Sequence, residues 1–567
     1  MIPTRTPTHV SLQPKPLQAL DERRTRRRPG RNLGSSLSNL LIVAAALAFV
    51  AYVAWAAWDY TRVEVDLIGL ENNEFLLPTD GDGRQVGVTL SPATRIEEVE
   101  LLVDGQPAAE DLGVEGDVHS WLIPQFEERT YHLSMEVTRP LLGPKTVDWT
   151  YTVDGTEPEL TVTEPGTVEM DAEVVITGSV NEVVTLTVNG EEADVESDGT
   201  FELVYDRPPL GFLEIEAVDR AGNSTSQRIR VPVAYPEIRA VHVSAAAWAD
   251  DELRAGVMRL IDEGRINAVQ LDIKDESGVI GYDSDVALAN EIGADRDIYD
   301  PKEALETLHD LGMHVIGRLV AFRDPELAEY AADTGRTDML AQGTDGEALD
   351  IYRGGFTNFA HPDVQQYNLD VATEAVELGF DDIMFDYIRR PDGDLNQMVF
   401  PGLLGPGEAS EDDRSDEVTA TILDYLERTH VELRERGAYQ GAAVFGIAAN
   451  RGYQIGQEAG EMVAHLDYMS PMLYPSHFGD GEYNVKVPNA EPGKIVERSM
   501  REFVEVVEPW GVPLVPWLQD FSLGGTQYGD DEVRQQIDAA YREDANGFLL
   551  WNASVRYHAG ALEPAQG

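Results

Sequence analysis

The chain contains no cysteine, which excludes a disulfide framework and any cysteine-ligated metal. Large secreted proteins can do without bridges, so this absence leaves the compartment open. Positive charge is also scarce. There are 43 Lys and Arg against 102 Asp and Glu, a formal net charge of −59. The basic residues are unevenly placed. Eight of them (Arg5, Lys15, Arg23, Arg24, Arg26, Arg27, Arg28 and Arg31) precede residue 37 alongside only Asp21 and Glu22, leaving 35 basic against 100 acidic residues for the rest. Such a surface lacks the basic footprint that nucleic acid needs, and it repels anionic lipid and polyanionic glycans. No nucleic-acid partner is expected. The charge suits solubility in an acidic extracellular or salt-adapted protein. No G-x-G-x-x-G or Walker-type segment is found, so nucleotide binding has no support.

Long apolar stretches are equally scarce, with one exception. Leu40 to Trp58 is an uncharged run of 19 residues, close to the length that crosses a bilayer as a helix. The arginines before it predict a cytoplasmic N-terminus, with Tyr52, Trp55 and Trp58 near the outer interface. Residues 1–37 read as a disordered basic tail and 38–60 as a single transmembrane helix, so the protein is expected in the cell membrane with everything after Tyr60 outside the cytoplasm. The competing reading is a cleaved signal sequence and secretion, because Ala54-Trp55-Ala56 resembles a small-residue cleavage site.

At 567 residues the chain is too long for one core. From about 62 to 236, short β-rich runs such as Val174–Val180, Val184–Val188 and Phe201–Tyr205 alternate with turn signals. Asn189-Gly190 and Asp198-Gly199 predict hairpins. The spacing predicts two β-sandwich modules, 62–155 and 156–236. The stretch Ala217-Val218-Asp219-Arg220-Ala221-Gly222-Asn223 resembles the end of bacterial immunoglobulin-like repeats. A spacer that holds the next domain off the membrane is the expected role, with glycan binding as the alternative.

After Pro236 apolar runs alternate with amphipathic helical stretches, the pattern of a parallel α/β sheet. Eight strands are expected near 239–244, 267–273, 313–320, 381–387, 442–448, 466–473, 512–518 and 546–552. Helices are expected over Asp251 to Glu263, Pro301 to Leu311 and Pro362 to Leu378, closed by Gly264, Gly312 and Gly379. Eight such pairs over 237–560 predict a (β/α)8 barrel with long loops, whose C-terminal strand ends carry the chemistry. An open doubly wound sheet is the alternative.

Carboxylates, amides and aromatics recur at those ends. They are Leu271-Asp272-Ile273-Lys274-Asp275, Arg318, Phe385-Asp386-Tyr387-Ile388-Arg389, Ser470-Pro471-Met472-Leu473-Tyr474-Pro475-Ser476-His477 and Trp517-Leu518-Gln519-Asp520-Phe521. Aromatic rings stack on sugars, and carboxylates and amides bind hydroxyls. Two carboxyl groups about 5 Å apart serve a retaining glycosidase, and about 6.5–9.5 Å an inverting one. Asp467, Asp381 and Asp382 begin their strands and are expected at the opposite face, where structural roles dominate.

In these blocks the segment from 239 to about 555 resembles the glycoside-hydrolase-like family of (β/α)8 barrels first catalogued as a domain of unknown function. An aromatic usually follows the arginine of that family's strand-4 block, where this chain has Arg389-Arg390-Pro391. The resemblance implies hydrolysis of glycosidic bonds in an extracellular or cell-envelope polysaccharide. Asp386 would be nucleophile or general acid, with Asp272 its partner and Asp275 or Asp520 as alternatives. Lys274, Asp275, Arg318, Tyr387, Arg389, Tyr474, His477, Trp517, Gln519 and Asp520 would contact substrate. A non-catalytic glycan-binding or envelope-organising protein on the same scaffold is the rival expectation. No metal or cofactor is expected. His242, His314 and His361 show no ligand spacing, and Glu411-Asp412-Asp413 reads as a solvated loop.

Overall fold

The computed structural model describes residues 33–79, 83–91, 96, 98–108, 110–139 and 142–563. Residues 1–32 of the expected basic tail lie outside these. Residues 33–37, expected to be disordered, instead begin the helix Leu33–Thr61. Within it Leu40–Asp59 is long and apolar enough to cross a membrane, and none of it is buried.

The chain forms two compact units, Met1–Gly155 and Thr156–Gly567. In the first, a four-stranded antiparallel sheet and a five-stranded mixed sheet follow the helix. Alternation fixes which face is buried. Along Arg129–Arg139, Tyr131, Leu133, Met135 and Val137 point inward and join Val86, Val88 and Trp121 in one core.

The second unit opens with seven strands in two antiparallel sheets, one of three strands and one of four. They share a core of Val162, Ile176, Leu186, Phe201, Ile215 and Ile229. Asn189 and Gly190, with φ of 51° and 84°, form the hairpin between Thr185–Val188 and Glu191–Ala193. Asp198-Gly199 differs from expectation. It carries the chain from the four-stranded sheet to the three-stranded one, so no hairpin forms there. Asp219 fixes the next turn, accepting backbone N–H bonds from Ala221, Gly222 and Asn223 at 2.7–2.8 Å.

The remainder is a closed barrel of eight parallel strands: β1 (Ile238–Val243), β2 (Ala268–Lys274), β3 (His314–Val320), β4 (Asp382–Asp386), β5 (Tyr439–Phe445), β6 (Tyr468–Leu473), β7 (Trp517–Gln519) and β8 (Gly547–Trp551). Pairing of β8 with β1 closes it, which removes the open-sheet alternative. Helices Asp251–Asp262, Pro301–Asp310 and Pro362–Leu378 lie where the periodicity places them. Two strands differ from expectation. β5 begins at Tyr439, where it registers with Asp382. β7 is three residues long and begins at Trp517, because Pro513 and Pro516 bring no N–H to the ladder. Glu411-Asp412-Asp413 is the first turn of helix Glu411–Glu435, not a loop. Ser410 caps it through Asp413, and the acids face the positive end of the helix dipole.

Inside the barrel, Ala240, Ala268, Ile316, Met384, Tyr468, Trp517 and Leu549 form one cluster. Gly441 makes room there, since a Cβ at that position would lie 2.2 Å from the Tyr468 ring. The β-module of the same unit sits against the N-terminal ends of the strands. Arg207 donates to the Glu435 carbonyl at 2.9 Å, Phe212 meets the Trp510 ring at 4.5 Å, and Tyr235 stacks on Tyr468 at 4.3 Å. The C-terminal rim is the end away from that module.

Candidate active site

Strand parity selects the rim residues. Two residues beyond the interior cluster, toward the C-terminal ends, stand His242 on β1, Arg318 on β3, Asp386 on β4 and Trp551 on β8; Asp272 stands four beyond Ala268 on β2. Arg318 joins them. Its Nε and Nη2 donate to Oδ2 of Asp386 at 3.0 and 2.7 Å, and its Nη1 donates to Oδ1 of Asp272 at 3.0 Å. The fixed fork of a guanidinium therefore limits the separation of those two oxygens to about 8 Å. All three side chains are buried. Asp386 accepts a third bond, from the backbone N–H of Tyr387 at 2.7 Å. Tyr387 has φ 51°, a left-handed conformation costly for an aromatic residue, which occurs at functional sites when the surroundings enforce it.

The charges respond to this arrangement. Burial opposes ionisation of Asp272, but His242, at 2.9 Å, and Arg318 outweigh it and hold the carboxyl below its usual value. Burial likewise opposes the charge on Arg318, and Asp272, Asp386 and Glu276 raise it well above the ordinary guanidinium value. Asp275 moves the other way. Burial raises it, and the charges of Asp272 and Glu276 add to the effect against two backbone N–H bonds from Ser277 and Val279.

An aromatic wall completes the rim. Trp517 lies under the Arg318 guanidinium at 5.7 Å, and Tyr474 touches Trp517, Trp551 and Phe521 at ring distances of 5.8–6.4 Å. Burial and then the nearby Asp386 charge push the Tyr474 hydroxyl well above the usual phenol value, so it is a neutral donor. Three buried polar atoms of this wall have no partner among the described residues: Oη of Tyr474, Nε1 of Trp517 and Nδ1 of His242. Buried polar atoms are normally paired, and here three unpaired ones lie on touching rings beside two carboxylates.

The structure thus brings together Asp386, Asp272, Arg318, Tyr387, Tyr474 and Trp517, with Asp275 in the loop above. His477 is exposed beside them, 5.4 Å from the Tyr474 ring, and burial of part of its ring lowers its pKa. Other candidates are held elsewhere. Lys274 is fully buried, donating to Asp324 and Asn368 at 2.7 Å each, because the register shifts between Asp272 and Lys274 and turns it out of the barrel. Gln519 accepts from Ser476 N at 3.0 Å and donates to the Phe521 carbonyl at 2.8 Å, so it braces two loops. Asp520 is fully buried and paired with His558 through both oxygens. Arg389 is buried among the rings of Phe445, Tyr387, Phe356 and Tyr352 at 4.5–6.0 Å. Arg390, in place of the expected aromatic, is buried too. It donates to the carbonyls of Pro391 and Gly393, and burial lowers it to about 10.

Two residues were missed. His242 shares the inward parity of Ala240 on β1, a signal that ligand spacing cannot supply. Glu276, exposed and 3.4 Å from Arg318, directly follows the quoted Asp272–Asp275 block.

The family described as "Putative glycosyl hydrolase domain" matches residues 240–557. The chain belongs to this family. A search of curated proteins finds no match. Among solved structures, a hypothetical protein from Ruminiclostridium thermocellum ATCC 27405 is 30% identical, covering 36% of this chain and 96% of that one at a TM-score of 0.30. The PgaB (BpsB) glycoside hydrolase domain from Bordetella bronchiseptica is 15% identical, covering 56% and 95% at a TM-score of 0.43. Family membership places the chain with glycosidase-type barrels acting on carbohydrate at a general level.

Proposed function

We propose that the barrel hydrolyses glycosidic bonds of an extracellular or cell-envelope polysaccharide by a two-carboxylate mechanism. The observation that carries this reading is the set of unpaired polar atoms on Tyr474, Trp517 and His242 around the bridged pair Asp386 and Asp272. Sugar hydroxyls would satisfy those atoms, and a pyranose face would cover the exposed edges of Trp551 and Phe521. Asp386, which accepts three N–H bonds, would face the oxocarbenium-like centre as nucleophile. Asp272, held charged by His242 and Arg318, fits electrostatic stabilisation. Asp275, whose pKa is raised, fits the proton donor, since opposite shifts in neighbouring carboxyls separate acid from base.

Residues 40–58 would anchor the protein with its N-terminus in the cytoplasm, and the immunoglobulin-like modules 62–155 and 156–236 would space the barrel, 237–560, from the membrane. Cleavage after Ala56 would instead yield a secreted protein. N-terminal sequencing of the mature chain separates the two.

The Arg318 bridge favours a second reading, glycan binding without hydrolysis, because one guanidinium is hydrogen-bonded to both carboxylates and ties them up. Screening the full chain in detergent on a polysaccharide panel decides between them. Product release that Asp386→Asn abolishes supports hydrolysis. Binding with no product, unchanged by the substitution, supports the second reading.

A further inference from the structure

Where the β-module meets the floor of the barrel, two arginines face one cavity. Arg230 ends the module's last strand, Ser224–Arg230, and Arg434 lies in the last turn of helix Glu411–Glu435. Both line a cavity of about 10 Å³, room for one water-sized particle. Its other walls include Val231, Val233 and Val512, together with Asp467 and His430.

Arg434 is 5% exposed and spends only Nη2 on Asp467. Its Nε and Nη1 have no partner among the described residues, and neither has Nε of Arg230. Arg230 gives its terminal nitrogens to the carbonyls of Leu466, at 3.3 Å, and Trp510. Burial lowers its pKa, and the neighbouring Arg434 charge adds to that against the pull of Asp467. Asp467 cannot serve both cations. Its oxygens already accept from Arg434, His430 at 3.1 Å and Gln440 N at 2.8 Å. The joint therefore holds one buried and one half-buried guanidinium group, one carboxylate and three N–H donors without a partner among the described residues.

We propose that this cavity binds a halide ion, chloride in the native setting, which ties the β-module to the barrel floor. The unpartnered side-chain atoms are all donors. A water would have to place its own two protons, whereas a monatomic anion only accepts. The chain's large negative charge does not defeat such a site, since surface carboxylates more than about 8 Å away are screened at physiological ionic strength.

The test uses the full chain in detergent, with sodium chloride exchanged for sodium methanesulfonate at constant ionic strength. A rise in the thermal midpoint with chloride, growing with the logarithm of its concentration once the site is filled, is expected. Above saturation each tenfold increase in chloride should lower the unfolding constant about tenfold. Amide exchange in 224–236 and near Arg434 should slow in parallel. Arg434→Met and Arg230→Met should each abolish the chloride dependence. If neither variant folds, crystals of the unaltered protein grown in bromide should show an anomalous peak within hydrogen-bond reach of Nε and Nη1 of Arg434. Equal midpoints in the two salts, or crystals with no bromide at this position, would overturn the proposal.

Discussion

Asp386 and Asp382 lie four residues apart on the same strand with the same inward parity, yet their surroundings differ. Asp382, at the floor, is fully buried and accepts from His314 Nε2 at 2.8 Å and from the hydroxyls of Tyr235 at 2.9 Å and Tyr468 at 3.1 Å. Those partners in turn pair with it. Asp386, at the rim, is tied to Arg318, but the wall beside it keeps three polar atoms with no partner among the described residues. The same residue type thus serves as a satisfied structural hub at one end and as part of an unsatisfied cluster at the other. Burial of a carboxylate alone does not mark a site. Unpaired polar atoms around it do.

The largest expected effect tests the two aspartates directly. Asp386→Asn should lower turnover by about 10³-fold or more, whereas Asp382→Asn should leave turnover unchanged and lower the denaturation midpoint. Steady-state kinetics and denaturant unfolding of both variants check this. If Asp382→Asn is the one that removes activity, the comparison collapses. Arg318→Met should come next. It leaves Asp272 and Asp386 buried without their cation, at a cost of about 3–5 kcal/mol in chemical denaturation.

The two ends should also respond to pH with opposite sign. Asp272 has a lowered pKa, so its contribution to stability is present above the unfolded value near 3.8 and is lost as pH falls through the folded value. Asp382 is raised by burial, and His314 is raised by Asp382 against burial, so their contribution is present at low pH and is lost as pH rises through the folded values. Denaturant midpoints across pH should lose their acid limb in Asp272→Asn and their alkaline limb in His314→Gln. Coincident profiles would show that the two ends do not differ electrostatically.

The smallest effect separates two tyrosines of one segment. Tyr468→Phe breaks a buried bond to Asp382 and should cost about 1–2 kcal/mol of stability. Tyr474→Phe removes a hydroxyl that has no partner among the described residues, so stability should move by less than about 0.5 kcal/mol while KM for a hydrolysed glycan rises about tenfold. A loss of stability in Tyr474→Phe would mean that its hydroxyl has a structural partner.

Much of the barrel was legible. Eight apolar runs separated by capped helices carry their own periodicity, and helix ends such as Gly379 are set by local backbone chemistry. The misplaced strand near 512–518 shows the limit, because Pro513 and Pro516 matter only through the ladder they fail to join. At the site, Asp386, Asp272, Arg318, Tyr474 and Trp517 were readable from strand ends. Lys274, Gln519 and Asp520 stand at strand ends too but are held by other partners, because a strand end does not tell which way a side chain turns. The irregular register after Asp272 turns Lys274 outward, and His558, 38 residues along the chain from Asp520, takes up that carboxylate.

By itself, then, the sequence determined the apolar helix, the β-rich region, the alternation that becomes a barrel and the polar strand ends, all of which follow from spacing over a few residues. Only the tertiary structure decided which of those polar groups are spent on each other. Closure of the ring brings His242, Asp272, Arg318, Asp386, Tyr474 and Trp517 from six different strands together, and hydrogen-bond satisfaction is a property of that assembly, invisible along the chain.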